Sequence, residues 1–179
     1  MKHGHNEAGR VIPSGFGVFG AHSSVFGAKN AMYEPVFELG TFATAPVNVR
    51  ANLIGTLVEA LIAVNRAYLR LNPDTPPFYA SQLTYHLKIR PFGLDRWQDI
   101  PTTLALKGGD CKDFVAWRVA ELREKGYPDV GPRIIAKQSG DVIVYHVQVR
   151  IDTQIEDPSV ALGMPTDISA QQVRNLVQR

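Results

Sequence analysis

Gly108-Gly109-Asp110-Cys111-Lys112-Asp113-Phe114 reads as a loop turning into a helix, and the architecture follows from it. Asp110 has the short acceptor side chain of an N-cap. Asp113 stands three positions on, where a capping-box acid reaches back to the cap. Phe114, Val115, Ala120 and Leu122 supply an apolar face, Gly126 suits the position after the helix, and Pro128 stops continuation. The helix therefore opens on the chain's one cysteine, Cys111. Residues 133–137 and 142–151 then read as strands joined by Ser139-Gly140-Asp141. The second alternates: Ile143, Tyr145, Val147, Val149 and Ile151 point one way, and Val142, Val144, His146, Gln148 and Arg150 the other. Helices first and strands after predict an α+β fold with an antiparallel sheet.

Upstream, Ile54, Leu57, Val58, Leu61, Asn65 and Tyr68 recur at helical spacing, so residues 53–71 predict an amphipathic helix. Glu59, Asn65, Arg66 and Arg70 interrupt its apolar run, which reads as a buried helix of a soluble protein rather than a membrane span. Asn72-Pro73-Asp74-Thr75-Pro76-Pro77 ends it. A weaker helical patch over 78–87 follows, then a loop with Pro91, Gly93 and Asp95 leading to Trp97 and Pro101. Residues 1–45 lack helical periodicity and interleave glycines with Phe16, Phe19 and Phe26. They predict an extended arm ahead of one domain over 46–179. The arm reads either as a floppy terminus or, given its aromatics, as a segment that orders on a neighbouring subunit.

Composition narrows the function classes. The chain has 179 residues and a formal net charge of +2, with its basic residues scattered among acids, so nothing calls for a nucleic-acid or membrane partner. A single cysteine excludes an internal disulfide. The N-terminus has no apolar run of a secretory signal, which makes the cytosol the default location.

A thiol is nucleophilic as the thiolate. The first turn of a helix and a neighbouring imidazolium both favour that form. Most lone cysteines are small buried hydrophobes. Here the flanking glycines and the polar neighbours Asp110, Lys112 and Asp113 argue against burial. Gly108 and Gly109 leave room for a substrate backbone, and the Cys111 amide suits an oxyanion donor. His146 lies mid-strand, in line with Val144 and Gln148; a helix packed on that face would bring its ring to the sulfur. Asp157, before Pro158, is either a turn starter or the carboxylate that orients the ring. His3, His5, His22 and His86 lack such context, and His3-x-His5 is too small a set to hold a metal.

Three blocks carry a family resemblance: Asp95 to Pro101 with Trp97, Gly109 to Phe114 continuing through Gly126, and His146-Val147-Gln148-Val149 followed by Glu156-Asp157-Pro158. Over residues 97–159 the chain resembles the transglutaminase-like superfamily, and looks most like the bacterial transglutaminase-like cysteine peptidases. The resemblance implies a papain-like core, with Cys111 as nucleophile, His146 as general base and acid, and Asp157 as orienting carboxylate. It also implies a side-chain oxyanion donor upstream of the thiol, for which Gln98 is the candidate and Trp97 the alternative. Some bacterial members bind calcium through acids near the thiol. Lys112 stands where those carry an acid, and Asp113 alone is far short of a calcium shell, so no metal or other cofactor is expected.

Two functions are therefore expected. One is a cysteine hydrolase, peptidase or amidase, acting on a peptide or protein through a thioester. The other is a structural or assembly protein using the same domain as a scaffold, with the arm as its docking segment. Compact chains of this kind resemble products of phage or prophage structural clusters, which makes a virion component the form such a protein would take.

Overall fold

The computed structural model describes residues 36–38, 44–87, 94–139 and 142–166. Phe16, Phe19, Phe26, His3, His5, His22, Pro91, Gly93, Gly140 and Asp141 lie outside the described residues.

Asp110 caps α3 (Cys111–Glu124) as its sequence predicts. Its carboxylate accepts from the Lys112 amide at 3.2 Å, and Asp113 accepts from the Asp110 amide at 3.1 Å. Gly126 follows with φ +87°, the left-handed conformation that spares a glycine its Cβ clash. Both sides of α3 are covered. Val115, Ala116, Val119, Ala120 and Leu122 join one apolar cluster, while Phe114 and Trp117 join a second with Phe78, Leu83 and Ile100.

The first cluster lies between α3, α1 (Val47–Leu71) and a sheet of β5 (Val130–Ser139), β6 (Val142–Ile151) and β7 (Gln154–Glu156). These strands pair antiparallel in the order β5-β6-β7. The molecule thus mixes helices with an antiparallel sheet, as an α+β fold requires.

α1 differs from its expectation. It begins at Val47, directly after Pro46, and buries only Val58, Leu61, Ile62 and Asn65. By length and composition it is apolar enough to cross a membrane. Three of its charges are instead bound to α3: Arg123 grips Glu59 at 2.7 and 2.9 Å, and Glu124 takes Arg66 at 2.6 Å and Arg70 at 2.8 Å. Val49, Val64 and Leu71 remain exposed, so α1 is a one-sided cover rather than a buried helix.

The helix expected over 78–87 is not formed. A single 3₁₀ turn at Phe78–Ala80 ends in Gln82, whose φ of +52° breaks the helical path. The chain then makes β2 (Thr84–Tyr85), parallel to β4 (Gly108–Gly109). Two further short elements enter where a loop is expected. β3 (Leu94–Arg96) pairs antiparallel with β1 (Val36–Glu38), and α2 (Ile100–Leu106) starts on Asp99, whose carboxylate accepts from the Thr102 amide at 2.9 Å. β1 falls within the expected arm and ties its end to the rest of the fold.

The β2–β4 contact is tight enough to dictate sequence. A Cβ on Gly108 would lie 2.3 Å from the Thr84 carbonyl oxygen and 2.6 Å from His86 Cε1. Gly108→Ala should therefore pry β2 from β4. Overpacking of this kind costs about 1–3 kcal/mol. In a domain of this size that lowers Tm by about 2–12 °C, measurable by calorimetry.

Candidate active site

α4 (Pro158–Ala161) is capped by Asp157, whose Oδ1 accepts from the amides of Ser159 at 3.2 Å and Val160 at 3.3 Å. The cap leaves Oδ2 facing the sheet. There it meets His146 Nε2 at 2.7 Å and Gln148 Nε2 at 3.0 Å. Both side chains come from β6 and stand two residues apart, hence on one face. Burial alone would raise the Asp157 carboxyl; the hydrogen bonds from Gln148 and His146 outweigh it and hold the group below its ordinary value. An ionised carboxylate accepts only, so it is the Nε2 proton that faces Asp157, and Nδ1 is the ring nitrogen left for another partner. The site thus holds an oriented base.

The residue before Asp157 is fixed as well. Glu156 takes Arg118 of α3 at 2.8 and 3.2 Å and the Tyr79 hydroxyl at 2.6 Å. Arg118 also holds Glu121 at 2.8 Å and lies 5.1 Å over the Tyr79 ring. This clamp couples β7, and so Asp157, to the helix that carries the thiol.

Cys111 reaches the sheet from the other side. α3 packs on the buried Val147 and Val149, not on the His146 face that would have set the helix directly against the ring. The reason is that two apolar valines face the core, while His146 and Gln148 turn toward Asp157. β7 pairs with β6 only as far as Val149. Past that point the Val147 amide hydrogen-bonds the Cys111 sulfur. The thiol therefore lies at the β6 edge, against the residue next to His146. Among the described residues no hydrogen bond joins Cys111 to His146; the joined pair is His146–Asp157.

The thiol also departs from the expected low pKa. Burial, with the Asp110 charge adding to it, pushes Cys111 up to about 12 against the opposing pull of Lys112 and the Val147 amide. Lys112 is spent on Asp110, to which its ammonium is ion-paired, and lies 5.5 Å over the Trp97 ring. The resting sulfur is therefore a thiol. Alkylation by iodoacetamide should be slower at pH 7 than for free cysteine. It should keep climbing toward pH 12 instead of levelling near 9, because an acid raised in this way deprotonates later as pH rises.

Gln98 and Trp97 are both 2% exposed. Gln98 lies behind Gly109, its Oε1 being 3.1 Å from the point a Gly109 Cβ would occupy, and that oxygen is buried without a partner. Asp113 has no free carboxylate to offer calcium: it accepts from the amides of Gln98 at 2.9 Å and Asp110 at 3.1 Å. No group of three His, Cys, Asp or Glu among the described residues is placed to hold a metal. Two concavities, of about 370 and 670 Å³, border α1, one at Leu104 and the other at Ile134; neither is lined by Cys111, His146 or Asp157.

Gln148 and the Arg118–Glu156 clamp escaped the sequence reading. The period of β6 carried a signal for Gln148, since it shares a face with His146. No family model, no curated protein and no solved structure matches the chain.

Asp157→Asn gives a direct check on the ring. Its amide would donate toward Nε2 and move the ring proton to Nδ1, which removes the base. Any Cys111-dependent turnover should fall by about 10²–10⁴-fold, with the α4 cap retained by the remaining amide oxygen.

Proposed function

We propose that the chain is a cysteine hydrolase of transglutaminase-like character with a papain-like core, acting on peptide or glutamine-side-chain amides. One observation carries the reading: an imidazole oriented by a carboxylate at 2.7 Å, with the thiol at the backbone of the next residue. The resemblance around Cys111, His146 and Asp157 supports the assignment of roles.

Cys111 Sγ attacks the carbonyl carbon while its proton passes to His146 Nδ1. The carbonyl electron pair moves to oxygen, where the Cys111 amide receives the charge, joined by Gln98 as the candidate side-chain donor. Collapse expels the amine, which leaves with the proton from His146, and a thioester remains. Water then attacks, giving its proton to the ring, and the acid departs as the thiol is restored. Hydrolysis is favoured over amine transfer because water needs no acceptor site.

The experiment is turnover of a fluorogenic peptide library read beside ammonia release from glutaminyl peptides. A product lost in Cys111→Ala supports the reading, and hydroxamate formed with added hydroxylamine would assign amine transfer. The reading is wrong if neither assay shows turnover that depends on Cys111.

A second reading draws on the exposed Val47, Val49, Val64 and Leu71 of α1. It is an assembly protein, in the form of a virion component, that uses this domain as a scaffold. Removal of residues 1–34 separates the two. Lost assembly with intact thiol chemistry favours the scaffold; intact assembly with altered turnover favours the enzyme.

A further inference from the structure

Tyr85 stands between the strand that leads to the thiol and the end of the helix that Asp157 caps. Its register in the parallel pair sets it beside Gly109, two residues before Cys111. The backbone is pinned on both sides: the His86 amide donates to the Gly109 carbonyl at 2.8 Å, and the Tyr85 amide to the Leu162 carbonyl at 2.9 Å. The second bond ties it to the end of α4, the helix that Asp157 caps. The ring lies edge-on to Phe114, 6.4 Å between centroids, over the first turn of α3.

The half-buried side chain has no hydrogen-bond partner for its hydroxyl among the described residues. Nor is the hydroxyl one of the fully buried orphan atoms, so it reaches solvent. A phenol held this firmly, with its polar end open, is placed to meet a group that comes up to the thiol. Its electrostatic neighbours identify the place. Burial raises the phenol above its ordinary range, and Cys111 once ionised, with Asp110 and Asp157, adds to this against Lys112. The group therefore keeps its proton at neutral pH and acts as a donor, not a base.

We propose that the Tyr85 hydroxyl donates a hydrogen bond to the acyl oxygen of a substrate being attacked by Cys111. It would act as a side-chain oxyanion donor facing the thiol from β2. The inference rests on the thioester chemistry above and adds a further donor beside the Cys111 amide and Gln98. A neutral donor aimed at that oxygen is worth most after the electron pair has moved to it.

The test compares two reactions of the same sulfur. Acylation by p-nitrophenyl acetate forms the Sγ–C bond, sends the carbonyl pair to oxygen, and expels p-nitrophenolate. Alkylation by iodoacetamide forms an Sγ–C bond and expels iodide, with no oxyanion. In Tyr85→Phe, acylation should fall about tenfold or more, while alkylation at pH 9 stays within twofold of the parent. Should Tyr85→Phe fail to fold, fluorotyrosine at position 85 keeps the ring and hydroxyl, and acylation must then track the phenol's acidity. Unchanged acylation, or a parallel fall in both reactions, overturns the Tyr85 assignment. A parent protein with no Cys111-dependent acylation overturns the hydrolase reading itself, which is a separate result.

Discussion

His146→Ala should lose acylation of Cys111 by about 10²–10⁴-fold, the range expected when a general base is removed. The size follows from the resting state of the sulfur. With the thiol pushed up to about 12, almost no thiolate exists at neutral pH, so the reaction depends on a base that takes the proton during attack. The His146 ring is the imidazole that the Asp157 carboxylate orients. Stability should change far less than the rate, because the α4 cap on Asp157 does not depend on the ring. Asp157 also retains Gln148 and the amides of Ser159 and Val160. Single-turnover acylation followed by mass spectrometry, beside a melting curve, checks both halves. A variant that acylates at the parental rate removes His146 from the mechanism.

Trp117→Ala should do the reverse, costing stability first. The side chain is 0% exposed and meets Phe78 edge-on at 5.5 Å, in the cluster that also holds Leu83, Ile100 and Phe114. Emptying such a site costs about 3–5 kcal/mol. For a domain of this size that is a Tm loss of about 6–20 °C. The cluster anchors the Phe78 turn, α2 and the approach to β2, so Tyr85 and Gly109 lose their support with it. Trp117→Phe should recover most of the loss, since the indole nitrogen has no hydrogen-bond partner to forfeit. A Trp117→Ala protein that melts within 2 °C of the parent would show that the cluster does not hold this side of the fold.

Local signals carried much of the architecture. Asp110 and Asp113 could be read as a cap because capping is settled within four residues, and the alternation of β6 fixed its bounds at Val142 and Ile151. Asp99 with Pro101 was an equally local sign of the start of α2, hidden by the surrounding prolines and glycines. β2 left no such sign. Two residues in a parallel pair are too few for any period, and what creates the pair is Gly108 lacking a Cβ at Thr84, a contact 24 positions away in the chain. The direction of packing was also out of reach. Alternation separates Val147 from His146, but only tertiary structure shows that α3 takes the valine side and Asp157 the histidine side. The thiol's upward shift belongs to the same class, because burial is a property of the assembled core rather than of the helix terminus that the sequence reveals.

The decisive observation is the imidazole ¹⁵N spectrum of His146 in the parent chain and in Cys111→Ala. Convergence of sulfur, ring and carboxylate predicts a proton fixed on Nε2 by Asp157 and an unprotonated Nδ1 whose resonance moves when the sulfur is removed. An Nδ1 signal indifferent to Cys111, or a ring protonated on Nδ1 instead, would contradict a shared site and leave the thiol without its base.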